Sequence, residues 1–137
     1  MITRILLAVD GSEWSNRAIP LAAELARKFG AEIVVFHAQE RVMAPGGNHA
    51  VESTDDAQGM TDRVVAWLKD EEVSARGETR VCYTGHIARE LAKLARTEGA
   101  NIIVMGSRGL SEVGGLMLGS VVNKVLHLAE VPVLIVP

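Results

Sequence analysis

The apolar residues of this chain follow two alternating rhythms. Residues 2–9 form an apolar run with no polar face after Arg4, the pattern of a strand in the middle of a parallel sheet covered on both sides. Next come Ala18, Leu21, Ala22, Leu25, Ala26 and Phe29, spaced as one face of an α-helix, with Gly30 as its C-cap. Pro20 sits early in that helix, where it removes a backbone bond and bends the first turns unless the helix begins after Ser15. Residues 32–39 read as a second strand. Residues 40–56, rich in Gly, Pro, Asn and Ser, read as a long and mobile loop.

The rhythm then resumes. Met60, Val64, Trp67 and Leu68 mark the buried stripe of a second helix, and a turn at Arg76-Gly77-Glu78 leads into a third strand, where residues 79–84 alternate as a half-buried strand does. Ile87, Leu91, Leu94 and Ala95 define a third helix closed at Gly99. Residues 101–105 form a fourth strand, Val121, Val122, Val125 and Ala129 a fourth helix, and residues 132–136 a fifth strand. Five strands alternating with four helices predict an α/β fold, a doubly wound open parallel sheet with helices on both faces.

Composition narrows the class. At 137 residues the chain reads as one domain, and with 48% hydrophobic against 23% charged residues it is too apolar for disorder. Its net charge of −3 argues against a nucleic-acid or anionic-membrane surface, and no apolar run has bilayer-spanning length. With no signal-peptide layout at its start, a cytosolic location is expected. The lone Cys82 forms no internal disulfide and reads as a small core residue, while His37, His49, His86 and His127 show no metal-ligand spacing.

The chemistry gathers in Gly106-Ser107-Arg108-Gly109, followed by nine residues and then Gly119-Ser120. An apolar strand that breaks into glycines and then a helix lets backbone N–H groups approach phosphates. It is not a P-loop, since no Gly-Lys-Ser/Thr follows, nor the dinucleotide fingerprint, which follows a first strand. This spacing, with the opening Val9-Asp10-Gly11-Ser12 and the closing Val131-Pro132-Val133-Leu134-Ile135-Val136-Pro137, resembles the ATP-binding branch of the universal stress protein family from end to end.

The resemblance implies a strand order of 3-2-1-4-5, so the order reverses between the first and fourth strands and a ligand crevice opens beyond their carboxyl ends. It further implies ATP as ligand, with Mg²⁺ or Mn²⁺ as its companion ion. Gly106 and Gly109, after Met105, would bracket the turn near ribose and phosphates. Gly119, the Ser120 hydroxyl and the Val121 N–H would offer donors to the terminal phosphates, and Arg108 a guanidinium. Asp10, after Val9, would contact the adenosine, and Ala38 the adenine side. Asp10-Gly11-Ser12 also suits a helix cap. His86 stands where the family often has a proline-containing turn, which leaves capping and function equally open there.

Two function classes follow: a nucleotide-dependent regulator read by a protein partner, which is favoured, and a slow ATPase or self-phosphorylating enzyme with Ser107, Ser111 or Ser120 as acceptors and Glu112 as the nearby acid. A binder of AMP or a cyclic nucleotide would use the same crevice. The uncharged final strand would lie at a sheet edge and pair with a second copy, giving a homodimer.

Overall fold

The computed structural model describes residues 1–110 and 118–137. In chain order these form β1 (Arg4–Ala8), α1 (Glu13–Phe29), β2 (Glu32–Ala44), β3 (Gly47–Ala50), α2 (Thr54–Asp70), β4 (Ala75–Tyr83), α3 (Ile87–Thr97), β5 (Ile102–Gly106), α4 (Ser120–Leu128) and β6 (Val133–Val136). Five strands run parallel in the order β4-β2-β1-β5-β6. This is the expected order, with β3 added.

The period of two along the strands divides the core. Ile5 and Leu7 of β1, Ile33 and Val35 of β2 and Val104 of β5 turn to one face, where Ala18, Ala22, Ala26 and Leu68 of α1 and α2 cover them. Leu6, Val34, Phe36, Ile103 and Met105 turn to the other, against Leu91 and Leu94 of α3 and Val122 and Val125 of α4. Both faces of β1 are therefore dry, which is why its sequence shows no alternation.

Three sequence expectations need correction. Residues 40–56 are no structureless loop: β2 continues to Ala44, and β3 returns antiparallel with Ala44 opposite Gly47. Pro45 and Gly46 make the turn between them, with Gly46 at φ 94°, as a type II turn requires. Turn-rich composition concealed the pairing. Arg76, Gly77 and Glu78 are strand and not turn, and glycine is needed at 77 because a Cβ would stand 2.5 Å from the Thr61 methyl of α2. Phe29 and Trp67 are 44% and 41% exposed: Phe29 ends α1 just before the left-handed cap at Gly30, and α2 buries Ala57, Thr61 and Leu68 in place of Trp67. The start of α1, which the sequence left open, is Glu13, and the helix runs through Pro20, which is exposed on the solvent side, where water can satisfy the carbonyl that proline leaves unbonded.

The hairpin bears on the crevice through register. β2 is paired by β1 over Glu32 to Phe36, by β4 over Ile33 to Arg41, and by β3 over Arg41 to Ala44. Because β4 overlaps both of the others, it must occupy one side of β2 while β1 and β3 share the opposite side. The hairpin thus continues the sheet past the carboxyl end of β1.

Candidate functional site

At the end of β1 the chain is held by its own polar groups. The Asp10 N–H donates to Ser15 Oγ at 3.1 Å, and Ser12 caps α1 by accepting the Ser15 N–H at 3.1 Å. One Asp10 carboxylate oxygen accepts the Ser12 N–H at 2.9 Å, and the other accepts the Leu110 N–H, from across the crevice, at 3.3 Å. Asp10 therefore clamps the glycine loop to the start of α1. The cap expected within Asp10-Gly11-Ser12 is made by Ser12, while the clamp by Asp10 was not foreseen.

Two glycines of the loop are fixed by the protein itself. A Cβ on Gly106 would lie 2.7 Å from the Trp14 carbonyl carbon and 2.8 Å from the Ser15 nitrogen, both backbone. A Cβ on Gly109 would lie 2.6 Å from Asp10 Oδ2. Arg108 stacks its guanidinium over the Trp14 ring, 5.6 Å from the centroid, which orients it while leaving its N–H edges able to meet an anion.

Past the undescribed stretch the chain returns beside its own start, since the Gly119 N–H donates to Ser107 O at 2.8 Å. The Gly119 N–H, expected as a phosphate donor, is thus engaged with Ser107 O in this structure. Gly119 is the N-cap of α4, whose first internal bond joins the Asn123 N–H to Gly119 O at 3.0 Å. Ser120 and Val121 lie in the first turn, at the positive end of the helix dipole. Ser111 and Glu112 lie outside the described residues.

The other wall comes from β2. His37, only 4% exposed, has Nδ1 2.8 Å from the Val9 carbonyl and Nε2 2.6 Å from Glu52 Oε1. Gln39, two residues along on the same face, donates to Glu52 O at 3.1 Å and Thr54 Oγ1 at 3.2 Å. These bonds pin the segment between β3 and α2 onto β2. Sequence reasoning dismissed His37 for lack of metal-ligand spacing and missed it as a structural link; its partner Glu52 lay hidden in the supposed loop. Nearby on β4, burial pushes the Cys82 thiol up to about 11, in keeping with an inert core residue. His86 sits at the N-cap of α3 without any side-chain capping bond.

The glycine loop, the α4 N-terminus and the β2 wall surround a cavity of about 510 Å³. Val9, Asp10, Ala38, Met105, Gly106, Arg108, Gly109, Gly119, Ser120 and Val121 all line it. Phe36, His37, Glu40, Val51, Glu52, Ile87 and Leu91, unanticipated as site residues, line it as well. The glycine loop and the α4 N-terminus bring polar backbone to one side of the lining, and Phe36, Val51, Ile87 and Leu91 bring apolar surface to a side that also holds His37, Glu40 and Glu52. No helix among the described residues is long and apolar enough to cross a membrane.

A doubly wound sheet with its crevice at the strand-order reversal, flanked by a glycine loop and a helix N-terminus, defines a Rossmann-like ligand-binding fold. The sequence matches the profile described as "Universal stress protein family" over residues 1–137, and the chain belongs to that family. It is 32% identical over 156 aligned positions to universal stress protein YxiE of Bacillus subtilis, covering 99% of both chains. It is also 31% identical over 134 positions to universal stress protein Rv2005c of Mycobacterium tuberculosis, covering 96% of this chain but 44% of that longer relative. Among solved structures, a universal stress protein crystallised in complex with cAMP superposes with a TM-score of 0.69 at 25% identity, over 98% of this chain and 96% of that one.

Proposed function

We propose that the cavity binds an adenine nucleotide, foremost ATP with Mg²⁺ or Mn²⁺, and that its occupancy governs how this chain, as a single cytosolic domain, regulates a partner during stress. The observation that carries this reading is the convergence of all ten motif-derived residues on one cavity, whose volume falls in the range of small-molecule sites. The cAMP complex of the similar structure supports the adenine-nucleotide class. Phosphates would lie at the α4 N-terminus, where the Ser120 hydroxyl, the Val121 N–H and the helix dipole favour anions, with Arg108 alongside. The ribose would lie near Asp10, and the base against the apolar lining beside Ala38. A companion cation would serve to offset phosphate charge.

Calorimetric titration with ATP, AMP and cAMP tests the reading. Gly119→Val should abolish binding while circular dichroism shows a retained fold, because a branched side chain at the buried α4 N-cap fills the phosphate approach. Wild-type affinity in that variant would overturn the phosphate placement. Any hydrolysis should run well below ~1 s⁻¹, under the usual enzyme range; faster saturable phosphate release would place the protein among enzymes.

A homodimer through β6 belongs to the same proposal. β6 pairs with β5 on one side, and its sequence Val-Leu-Ile-Val carries no charge to blunt the other. Pairing with a second copy about a two-fold axis would close that edge. Light scattering should give a dimer for the wild type and a monomer or aggregate for Leu134→Asp.

A further inference from the structure

Besides Asp10, two carboxylates line the cavity among its apolar surfaces, Glu40 and Glu52. Glu52 lines the cavity between the hairpin and α2, its side chain three-quarters buried, and His37 holds it there. The Val9 carbonyl can only accept, so the His37 Nδ1 atom must carry a proton and donate to it. His37 Nε2 stands 2.6 Å from Glu52 Oε1, which fixes the carboxylate in place, and the carboxylate keeps lone pairs for a further donor. Phe36, Ala38, Val51, Ile87 and Leu91 line the same cavity, their apolar side chains suited to the faces of a planar base but unable to read its edge.

We propose that Glu52, oriented by His37, reads the edge of the base, accepting a hydrogen bond from an exocyclic amino group and so selecting amino-purines over oxo-purines. The proposal rests on the adenine-nucleotide reading of the cavity and adds the residue that sets base specificity. An oxo group in the same place would set acceptor against acceptor, and a polar group left facing the wrong partner discriminates far more strongly than lost apolar contact. Glu40, the other of these carboxylates, is the comparison: its Oε1 accepts the Thr84 hydroxyl at 2.9 Å in an exposed bond, whereas Glu52 is held by the buried His37.

The test measures affinity for matched pairs, AMP against IMP and ATP against ITP, so that the phosphate count cancels. The wild type should prefer the amino member at least about tenfold, the scale set by one well-placed polar contact. The ratio should shrink in Glu52→Gln, where a neutral amide replaces the carboxylate, and approach unity in Glu52→Met. It should persist in Glu40→Gln. Retained IMP binding verifies the fold of each variant, and if Glu52→Met does not fold, Glu52→Gln decides. A wild-type ratio near one, a ratio unchanged in Glu52→Gln, or a collapse in Glu40→Gln alone would overturn the proposal while adenine-nucleotide binding stands. Failure of the wild type to bind any of the four nucleotides would instead remove the reading beneath it.

Discussion

The two walls of the cavity are built on different principles. The wall formed by β1, β5 and the glycine loop is set by backbone: α1 presses its first turn directly on Gly106, and the Asp10 carboxylate holds backbone N–H groups on both sides of the crevice. The wall formed by β2 and its hairpin is set by side chains, with His37 and Gln39 reaching across to Glu52 and Thr54. A backbone-built wall tolerates few residue types, whereas a side-chain-built wall can change its chemistry by exchanging pairs. In this arrangement the first suits a constant element such as phosphate and the second a variable one such as a base.

The largest expected effect breaks the backbone wall. Gly106→Val would drive a branched side chain into the Trp14 carbonyl carbon and Ser15 nitrogen, 2.7 and 2.8 Å from where its Cβ must stand. Neither backbone atom can move aside as the tip of a flexible side chain could. Urea unfolding should show a loss of about 3 kcal/mol or more, the upper end of overpacking costs. A loss below about 1 kcal/mol would mean that α1 shifts freely and that the wall is softer than its contacts imply.

The same contrast governs what could be read from the sequence. The glycine wall was legible because each requirement falls on a residue type with few substitutes: Gly106, Gly109 and Gly119 at fixed spacing, and Asp10-Gly11-Ser12 after an apolar strand. The reason behind the glycines was not legible, since contacts with Trp14 and Asp10 arise only once the crossover brings β1 and β5 together. The hairpin wall was illegible for a related reason. Residues 41–50 make a real antiparallel ladder, yet Pro45 and Gly46 in the turn, and polar strand residues such as Arg41 and His49, give the composition of a loop. Fold class followed from apolar runs buried on both faces, a signal that the two-stranded extension lacks, whereas the parallel strand order followed from the family resemblance.

An intermediate effect probes the side-chain wall. His37→Leu preserves apolar bulk but leaves the Val9 carbonyl and the Glu52 carboxylate without their donor. The loss should be about 1 to 3 kcal/mol, the penalty for stranding buried acceptors. It should also be local. Hydrogen exchange at the Val51 N–H, bonded to Glu40 O at 3.1 Å, should accelerate more than at the amides joining β1 and β5. Equal acceleration throughout would show the hairpin to be as integral to the fold as the glycine wall.

The smallest effect sharpens the comparison most, because it separates two reasons for one glycine. Gly109 can be required by a ligand's phosphates or by the Asp10 carboxylate, whose Oδ2 lies 2.6 Å from where a Cβ would stand. With no nucleotide present only the second reason acts. Gly109→Ala would turn the carboxylate away from the Leu110 N–H, costing about 1 kcal/mol, the net worth of one hydrogen bond. In an Asp10→Ala background that bond is already gone and the space is open, so the same substitution should cost close to nothing. The coupling in this double-mutant cycle of unliganded protein should therefore be about 1 kcal/mol, above the usual additivity error of distant sites. A penalty equal in both backgrounds would detach Gly109 from Asp10 and leave phosphate approach as the reason for the second glycine.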